Sequence, residues 1–314
     1  MQGVLAGFAT IGILIGLGFL LAQLKILDAT AQRVLTRTAF YVASPALMVT
    51  VLGGTDAQRL LSANLIASLG SVVVAATIAV LLARLVWKRA AGDTVIAAFC
   101  ASYVNAGNLG LPIAAYALGD AALIAPMLLA QLLVLQPSGL ALLDGLTHVP
   151  SPGTSRRRLL LIRLTRPLRN PLAVGSLVGL ALALTDIRLP VAINAPLTLV
   201  GGMAVPSMLL AYGVSLRLGP GPGAGEPLSQ IAGLVSLKLV VQPIAAYLIG
   251  AYAVGLADRD LLAVTVIAAL PTAQNVFTFA MRYDRGVILA RDTIFFATLL
   301  SVPVILVITW LLAS

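Results

Sequence analysis

Charged side chains are scarce in this sequence, at 10% of all residues, whereas an ordinary soluble domain has about 25%. The chain also contains only one cysteine, Cys100, and one histidine, His148. A single cysteine excludes an intrachain disulfide, and a histidine without a second one nearby gives no basis for a zinc site. We therefore predict neither a bound metal nor a cofactor.

Apolar residues dominate instead. They make up 60% of the 314 residues, and the mean hydropathy is +1.04. A hydrocarbon core about 30 Å thick needs roughly 20 apolar residues per helix, and such windows follow one another along almost the whole chain. The pattern predicts an all-α polytopic membrane protein with ten membrane spans: 3–24, 34–53, 64–86, 94–119, 121–143, 171–185, 194–216, 231–255, 260–282 and 289–312.

Lysine and arginine are unevenly distributed between the predicted loops. With both termini outside the cytoplasm, most of the 20 basic residues fall in cytoplasmic loops, as the positive-inside rule requires. This predicts a multi-pass protein of the cell (inner) membrane, with residues 144–170 as a basic cytoplasmic linker. The run Arg156–Arg158 in this linker fits contact with anionic membrane lipid, so we predict lipid as a partner and no binding of nucleic acid.

The two sides of the linker are predicted to be inverted repeats. Five spans in 1–143 and five in 171–314 place the halves in opposite orientations, because an odd number of crossings turns the second repeat over. Residues 43–48 of span 2 align with 204–209 of span 7, and spans 4 and 9 both combine proline with asparagine.

The stretch SYVNAGNLGLP, residues 102–112, is too polar and too rich in glycine for an ordinary membrane helix. Since proline lacks an amide donor and glycine weakens a helix, we expect spans 4 and 9 to break at 105–112 and 271–275. Non-helical backbone at this depth must be buried in protein or line a cavity, so the breaks should cross at a polar centre, where half-helix N-termini favour an anion. The predicted substrate-binding residues are Asn105, Asn108, Gly110, Gln274, Asn275 and Lys238, and the predicted crossover residues are Gly107, Pro112 and Pro271.

Lys238 is the one basic residue inside a predicted span. A lysine at mid-bilayer costs at least about 2.5 kcal/mol. Lys238 is therefore expected to snorkel to the cytoplasmic surface or to make a structural contact. The alternative is that it holds an anionic substrate. The acidic residues all fall in or beside predicted loops. No proton-binding acid is expected at the midplane, so we predict transport driven by the anion gradient and the membrane potential.

The motifs NAGNLGLP in span 4 and ALPTAQNVFTFAMRY in span 9 resemble the auxin efflux carrier family, over nearly the whole chain. The resemblance implies that Asn105 contacts the substrate. It also implies a scaffold of spans 1, 2, 6 and 7, a transport unit of spans 3–5 and 8–10, and a homodimer formed through the scaffold. Span 9 continues with TAQN after Pro271, as in the bacterial permeases of the family, so auxin itself is not implied as the substrate.

A membrane enzyme would need a nucleophile, a metal-ligand group or a carboxylate pair set up for catalysis inside the spans, and none is visible, so a transporter is favoured over an enzyme. The inverted repeat argues against a channel. We predict a secondary transporter, an efflux carrier of a small carboxylate-bearing anion that works by alternating access. The alternative is a sodium-coupled symporter of the bile-acid or arsenite type, which shares the fold plan but usually has carboxylate ligands for sodium in its core.

Overall fold

A computed structural model describes residues 2–54, 63–110, 113–114, 118, 120–147, 171–185 and 187–312 of the protein. Within these ranges the chain is helical, and its one β-bridge joins Val104 to Thr272. Residues 148–170 of the predicted linker, and the predicted crossover residue Pro112, lie outside the described residues.

Many of the α-helices are short because several long helical rods are divided. The helices of the first half are α1 (Gln2–Gln23), α2 (Ala29–Thr38), α3 (Ser44–Gly53), α4 (Ala63–Leu81), α5 (Ala91–Ser102), α6 (Ala125–Leu129) and α7 (Gln136–Thr147). Those of the second half are α8 (Pro171–Thr185), α9 (Val191–Gly202), α10 (Ala204–Leu218), α11 (Leu228–Ser236), α12 (Gln242–Leu248), α13 (Asp258–Ala268), α14 (Asn275–Tyr283) and α15 (Val287–Leu312).

Wider π-helical turns join several consecutive helices without interrupting the rod. Ala39–Ala43 joins α2 to α3 just before Pro45, and Leu237–Val241 joins α11 to α12 just before Pro243. Proline has no N–H and its ring clashes with a carbonyl of the preceding turn. A π-helical turn at this place accommodates the ring, as inserted turns do at helix kinks.

Six helical rods of the described chain are long and apolar enough to cross a membrane: Ala29–Gly53, Ala63–Val86, Pro126–Leu146, Val191–Leu218, Leu228–Ala253 and Val287–Leu312. They agree with six of the predicted spans. Predicted spans 4 and 9 contain no rod of this length because each is broken in the middle. Predicted span 6 corresponds to α8, which is as short as the sequence predicted.

Glycines allow two helix pairs to pack backbone against backbone. A Cβ added to Gly213 of α10 would lie 2.1 Å from the carbonyl oxygen of Ile15 in α1. A Cβ added to Gly179 of α8 would lie 2.7 Å from the carbonyl oxygen of Met48 in α3. Small residues at such contacts are the usual basis of helix packing in membranes, and here they join α1 to α10 and α3 to α8.

Asp292 is an acidic residue in the first turns of α15. It lies within α15 and is fully buried, as is its neighbour Arg291. Its Oδ1 accepts a hydrogen bond from Arg291 Nε at 2.7 Å, and its Oδ2 accepts one from Gly223 N at 2.9 Å. Burial of these charges is tolerated because each is paired and hydrogen-bonded.

Candidate functional site

Two non-helical segments, residues 103–105 and 269–274, cross in the interior of the protein. Asn105 N donates to Pro271 O at 2.9 Å, and Ala273 N donates to Tyr103 O at 3.1 Å. This short antiparallel pairing satisfies backbone groups that would otherwise cost several kcal/mol each in an apolar interior. The chain is therefore non-helical near both places where the sequence predicts a break, and the two segments pair with each other.

The breaks begin earlier than the sequence indicates. In the first half the α-helix already ends at Ser102, and Ala106–Gly110 form a π-helical turn where unwound chain was predicted. In the second half the break starts after Ala268, and Asn275 is the first residue of α14.

The end of α5 is stabilised by side chains from the second half. Thr272 Oγ1 donates to Cys100 O at 2.6 Å, and Gln242 Nε2 donates to Ser102 O at 3.2 Å. The last carbonyls of a helix have no partner within it, so these two bonds let α5 end inside the protein. The two donor side chains are far from α5 in the sequence. This explains why sequence reasoning placed the end of the helix too late.

Lys238 stabilises the end of α13 in the same way, by donating to a terminal carbonyl. It is fully buried, and its Nζ donates to Ala268 O and to Gln242 Oε1, both at 2.7 Å. The last carbonyls of a helix have no partner within it, and the Lys238 amine supplies a donor to one of them. The lysine is not exposed and does not line the cavity described below, so the geometry supports the structural contact and neither snorkelling nor substrate binding.

A cavity of about 230 Å³ lies beside the crossing, and we call it the central cavity. It is lined by parts of α3, α10 and α14, by the crossing segments, and by the turn between α6 and α7. None of the described residues that line it is charged. Its polar lining residues are Ser44, Tyr103, Asn105, Gln131, Gln136, Gln274 and Asn275.

Hydrogen bonds hold the polar side chains of the central cavity in place. Asn105 Nδ2 donates to Gln274 Oε1 at 2.8 Å, and the Tyr103 hydroxyl donates to Gln136 Oε1 at 3.0 Å. Each glutamine uses its oxygen in this way, so its nitrogen stays available.

Three buried atoms of the central cavity have no hydrogen-bond partner: Gln136 Nε2, Gln274 Nε2 and Asn275 Oδ1. An unpaired buried polar atom costs about 1–3 kcal/mol, so such atoms indicate a missing polar ligand or water. α14 also begins at Asn275 without a side-chain cap. The dipole of α14 favours an anionic group in front of this end of the helix.

The structure brings four of the predicted residues to the central cavity, namely Asn105, Gly107, Gln274 and Asn275. Pro271 contributes its carbonyl to the crossing instead. Gly110 does not line the cavity, and a Cβ there would lie 2.6 Å from Ile124 Cδ1, so its role in the structure is close packing. The side chain of Asn108, like Pro112, lies outside the described residues.

Sequence reasoning missed Ser44, Tyr103, Gln131 and Gln136. The two glutamines could have been identified from the sequence, because polar residues inside an apolar span usually mark a functional site. Gln131 Nε2 donates to Val104 O at 2.9 Å and so supports the crossing directly. Tyr103 and Ser44 carried no such signal, since both occur commonly in membrane helices.

Long apolar helices, together with two broken helices that cross beside a polar cavity, define a class: this is a membrane transport protein. Comparison with known families agrees. The family described as "Membrane transport protein" matches residues 4–309. The chain belongs to this family, which is that of the auxin efflux carriers, as the resemblance of its motifs predicted.

Two relatives show how far the similarity extends. The "Putative malonate transporter" of Rhizobium meliloti (strain 1021) is 27% identical over 312 residues, which cover 96% of this chain and 93% of that protein. "Auxin efflux carrier component 7" of Arabidopsis thaliana is 30% identical over 167 residues, covering 51% of this chain and 26% of the plant protein. The bacterial relative thus matches along nearly its whole length and the plant carrier only in part.

Proposed function

We propose that the protein is a secondary transporter that carries a small dicarboxylate, of the size and charge of malonate, through the central cavity. The observation that carries this proposal is the set of unpaired amide atoms where the two broken helices cross. The bacterial relative that matches the whole chain is named for malonate transport, which supports the choice of a dicarboxylate.

The size and chemistry of the central cavity favour a small anion. Pockets for drug-sized ligands usually measure about 300–1,000 Å³, and this one measures about 230 Å³. Carboxylate oxygens accept hydrogen bonds from amide nitrogens such as Gln136 Nε2 and Gln274 Nε2. With amides and a helix dipole in place of arginine or lysine, the site binds the anion without holding it too tightly for release.

The position of the central cavity fits alternating access. The proposed scaffold consists of α1–α3 and α8–α10, and the proposed transport unit of α4–α7 and α11–α15. Ser44 and Met48 line the cavity from the scaffold, while Asn105 and Asn275 line it from the transport unit. Movement of one unit against the other would therefore carry the site from one side of the membrane to the other.

We infer that the protein crosses the membrane ten times as two inverted five-helix repeats, 1–143 and 171–314, with both termini outside the cytoplasm. The matched breaks after α5 and α13 support this, and so does the symmetric packing of α1 on α10 and of α3 on α8. The homodimer through the scaffold remains a prediction from the family resemblance, and light scattering of the purified protein would measure it.

We also propose that the anion gradient and the membrane potential drive export. No described carboxylate lines the central cavity, and the buried Asp292 is already paired with Arg291. The alternative is a sodium-coupled symporter. It would be supported by uptake that stops when choline replaces sodium. A proton-coupled carrier requires accumulation that follows a pH gradient at clamped voltage, with a substrate that is fully ionised throughout.

Binding to the purified protein tests the proposal. Malonate is expected to raise the melting temperature of the wild type in detergent, and acetate should raise it less because it has one carboxylate. Asn275→Ala should lose most of the malonate effect. Asn194→Ala removes the same group from an exposed position of α9 and is the matched control. No stabilisation of the wild type by any dicarboxylate would contradict the proposed substrate class.

A further inference from the structure

A second cavity, of about 600 Å³, lies between α2 and α14. Three arginines line it, Arg33 and Arg37 from α2 and Arg282 from α14, and Asp284 is the one carboxylate among its described lining residues. We call it the arginine vestibule. An excess of positive charge in a concave space raises the local concentration of anions, and the function proposed above does not use these residues.

The three arginines are exposed, and Arg33 donates from one nitrogen to Thr30 Oγ1 at 3.4 Å. Within the described part of the chain, none of them forms an ion pair with a carboxylate. The guanidinium carbon of Arg282 lies 5.8 Å from the ring centre of Phe40 and 5.1 Å from that of Tyr41. These distances are in the range of cation–π attraction, which holds the exposed Arg282 in place at the wall of the vestibule.

The arginine vestibule and the central cavity are neighbours along one helical rod. Arg33, Arg37 and Phe40 line the vestibule, and Ser44 and Met48 continue the same face into the central cavity. Side chains spaced by three or four positions share one face of a helix. At no more than 1.5 Å per residue, Arg37 and Ser44 are separated by about 10 Å or less along the axis.

Aromatic rings separate the two cavities. The rings of Phe40 and Phe279 meet edge to face with their centres 6.4 Å apart, and Phe279 lines the central cavity on the other side. Phe40 belongs to the turn between α2 and α3 in the proposed scaffold, and Phe279 to α14 in the proposed transport unit. A shift between these units changes this contact directly.

We propose that the arginine vestibule is a second anion site, which binds the carboxylates of the transported molecule before they pass between Phe40 and Phe279 into the central cavity. This inference rests on the proposed function of the central cavity. Guanidinium groups bind carboxylates through paired N–H donors, and the proposed topology places the vestibule on the cytoplasmic side, where a substrate for export is collected.

Thiol labelling tests occupancy of the arginine vestibule without requiring transport. Ala29 is exposed and lines it, so Ala29→Cys provides a reporter for a negatively charged thiol reagent, while the native Cys100 is buried. Malonate should slow this labelling several-fold relative to chloride at equal ionic strength. Ser229→Cys, at an exposed position of α11 away from the vestibule, is the control and should react at an unchanged rate.

Transport kinetics test the use of the arginine vestibule. Arg33→Gln combined with Arg37→Gln should abolish the protection of Ala29→Cys and raise KM for malonate about fivefold or more, with the maximal rate little changed. Arg188→Gln combined with Arg259→Gln removes the same charge from exposed positions elsewhere and should leave KM unchanged.

The outcomes separate the vestibule from the proposed function. Malonate transport by the wild type without any protection of Ala29→Cys would overturn the vestibule proposal alone. Protection without transport would support the anion site and contradict the transport function. An increase in KM seen only in vesicles with phosphatidylglycerol, and absent in pure phosphatidylcholine, would mean that the arginines bind lipid phosphate, and that would also overturn the proposal.

Discussion

Asn105 and Gln274 lie in opposite halves of the chain, and Nδ2 of Asn105 donates to Oε1 of Gln274 at 2.8 Å. Each residue ends a non-helical segment, so this one hydrogen bond joins the two breaks inside the central cavity. Gln274 Nε2 has no partner. The glutamine can therefore hold Asn105 and a substrate carboxylate at the same time.

Asn105→Ala and Gln274→Ala are expected to weaken malonate binding non-additively. Either change breaks the shared hydrogen bond and costs about 1–3 kcal/mol, or roughly five- to 150-fold in affinity. The double variant should lose less than the sum, because the second substitution removes a group that already lacks its partner. A double-mutant cycle by titration calorimetry measures this, and additive losses would show that the two side chains act separately.

Lys238→Met is expected to destabilise the protein without changing KM for malonate. The substitution leaves Ala268 O and Gln242 Oε1 without their donor, at a cost of about 1–3 kcal/mol for each buried group left unpaired. Thermal unfolding in detergent and uptake kinetics give the two quantities. A large increase in KM with unchanged stability would place the lysine at the substrate instead.

Gly213→Ala should separate α1 from α10 and lower stability by about 1–3 kcal/mol, because the new methyl group overlaps the backbone of Ile15. Gly12→Ala is the matched control, since a Cβ there meets nothing within 4 Å. Melting temperatures of both variants test the packing. Equal stability would mean that the two helices do not touch as described.

Asp292→Ala is expected to cost about 3–5 kcal/mol, because it leaves Arg291 buried without its counter-charge. Glu226→Ala, which breaks the less deeply buried pair with Arg89, should cost less. Denaturation of the two variants side by side measures the difference. Similar losses would contradict the burial of Asp292.

The crossing of two broken helices was predictable because Pro271 and the asparagines and glycines of 105–110 act locally on the backbone. Its exact limits were not, since Thr272 and Gln242 end α5 through contacts between halves. The same reason explains Lys238, whose partner is the carbonyl of Ala268, 30 positions away. Periodicity and composition carry no information about which carbonyl accepts a hydrogen bond from a buried lysine.

The residues that line the central cavity could be predicted only in part. Asn105, Gln274 and Asn275 stood out as polar residues beside helix breakers, whereas Ser44 and Tyr103 reach the cavity only through the packing of α3 and the turn at the crossing. Arg291 and Asp292 sit near a loop in sequence, and only the folded chain shows that Gly223 covers them.

Flux of radiolabelled malonate in proteoliposomes tests the central claim most directly. Wild type, Asn275→Ala and the control Asn194→Ala would be reconstituted at equal amounts under a fixed membrane potential. We predict that the wild type and Asn194→Ala carry malonate at similar rates and that Asn275→Ala loses most of this flux. Equal flux through the wild type and Asn275→Ala would contradict the assignment of the central cavity as the transport site.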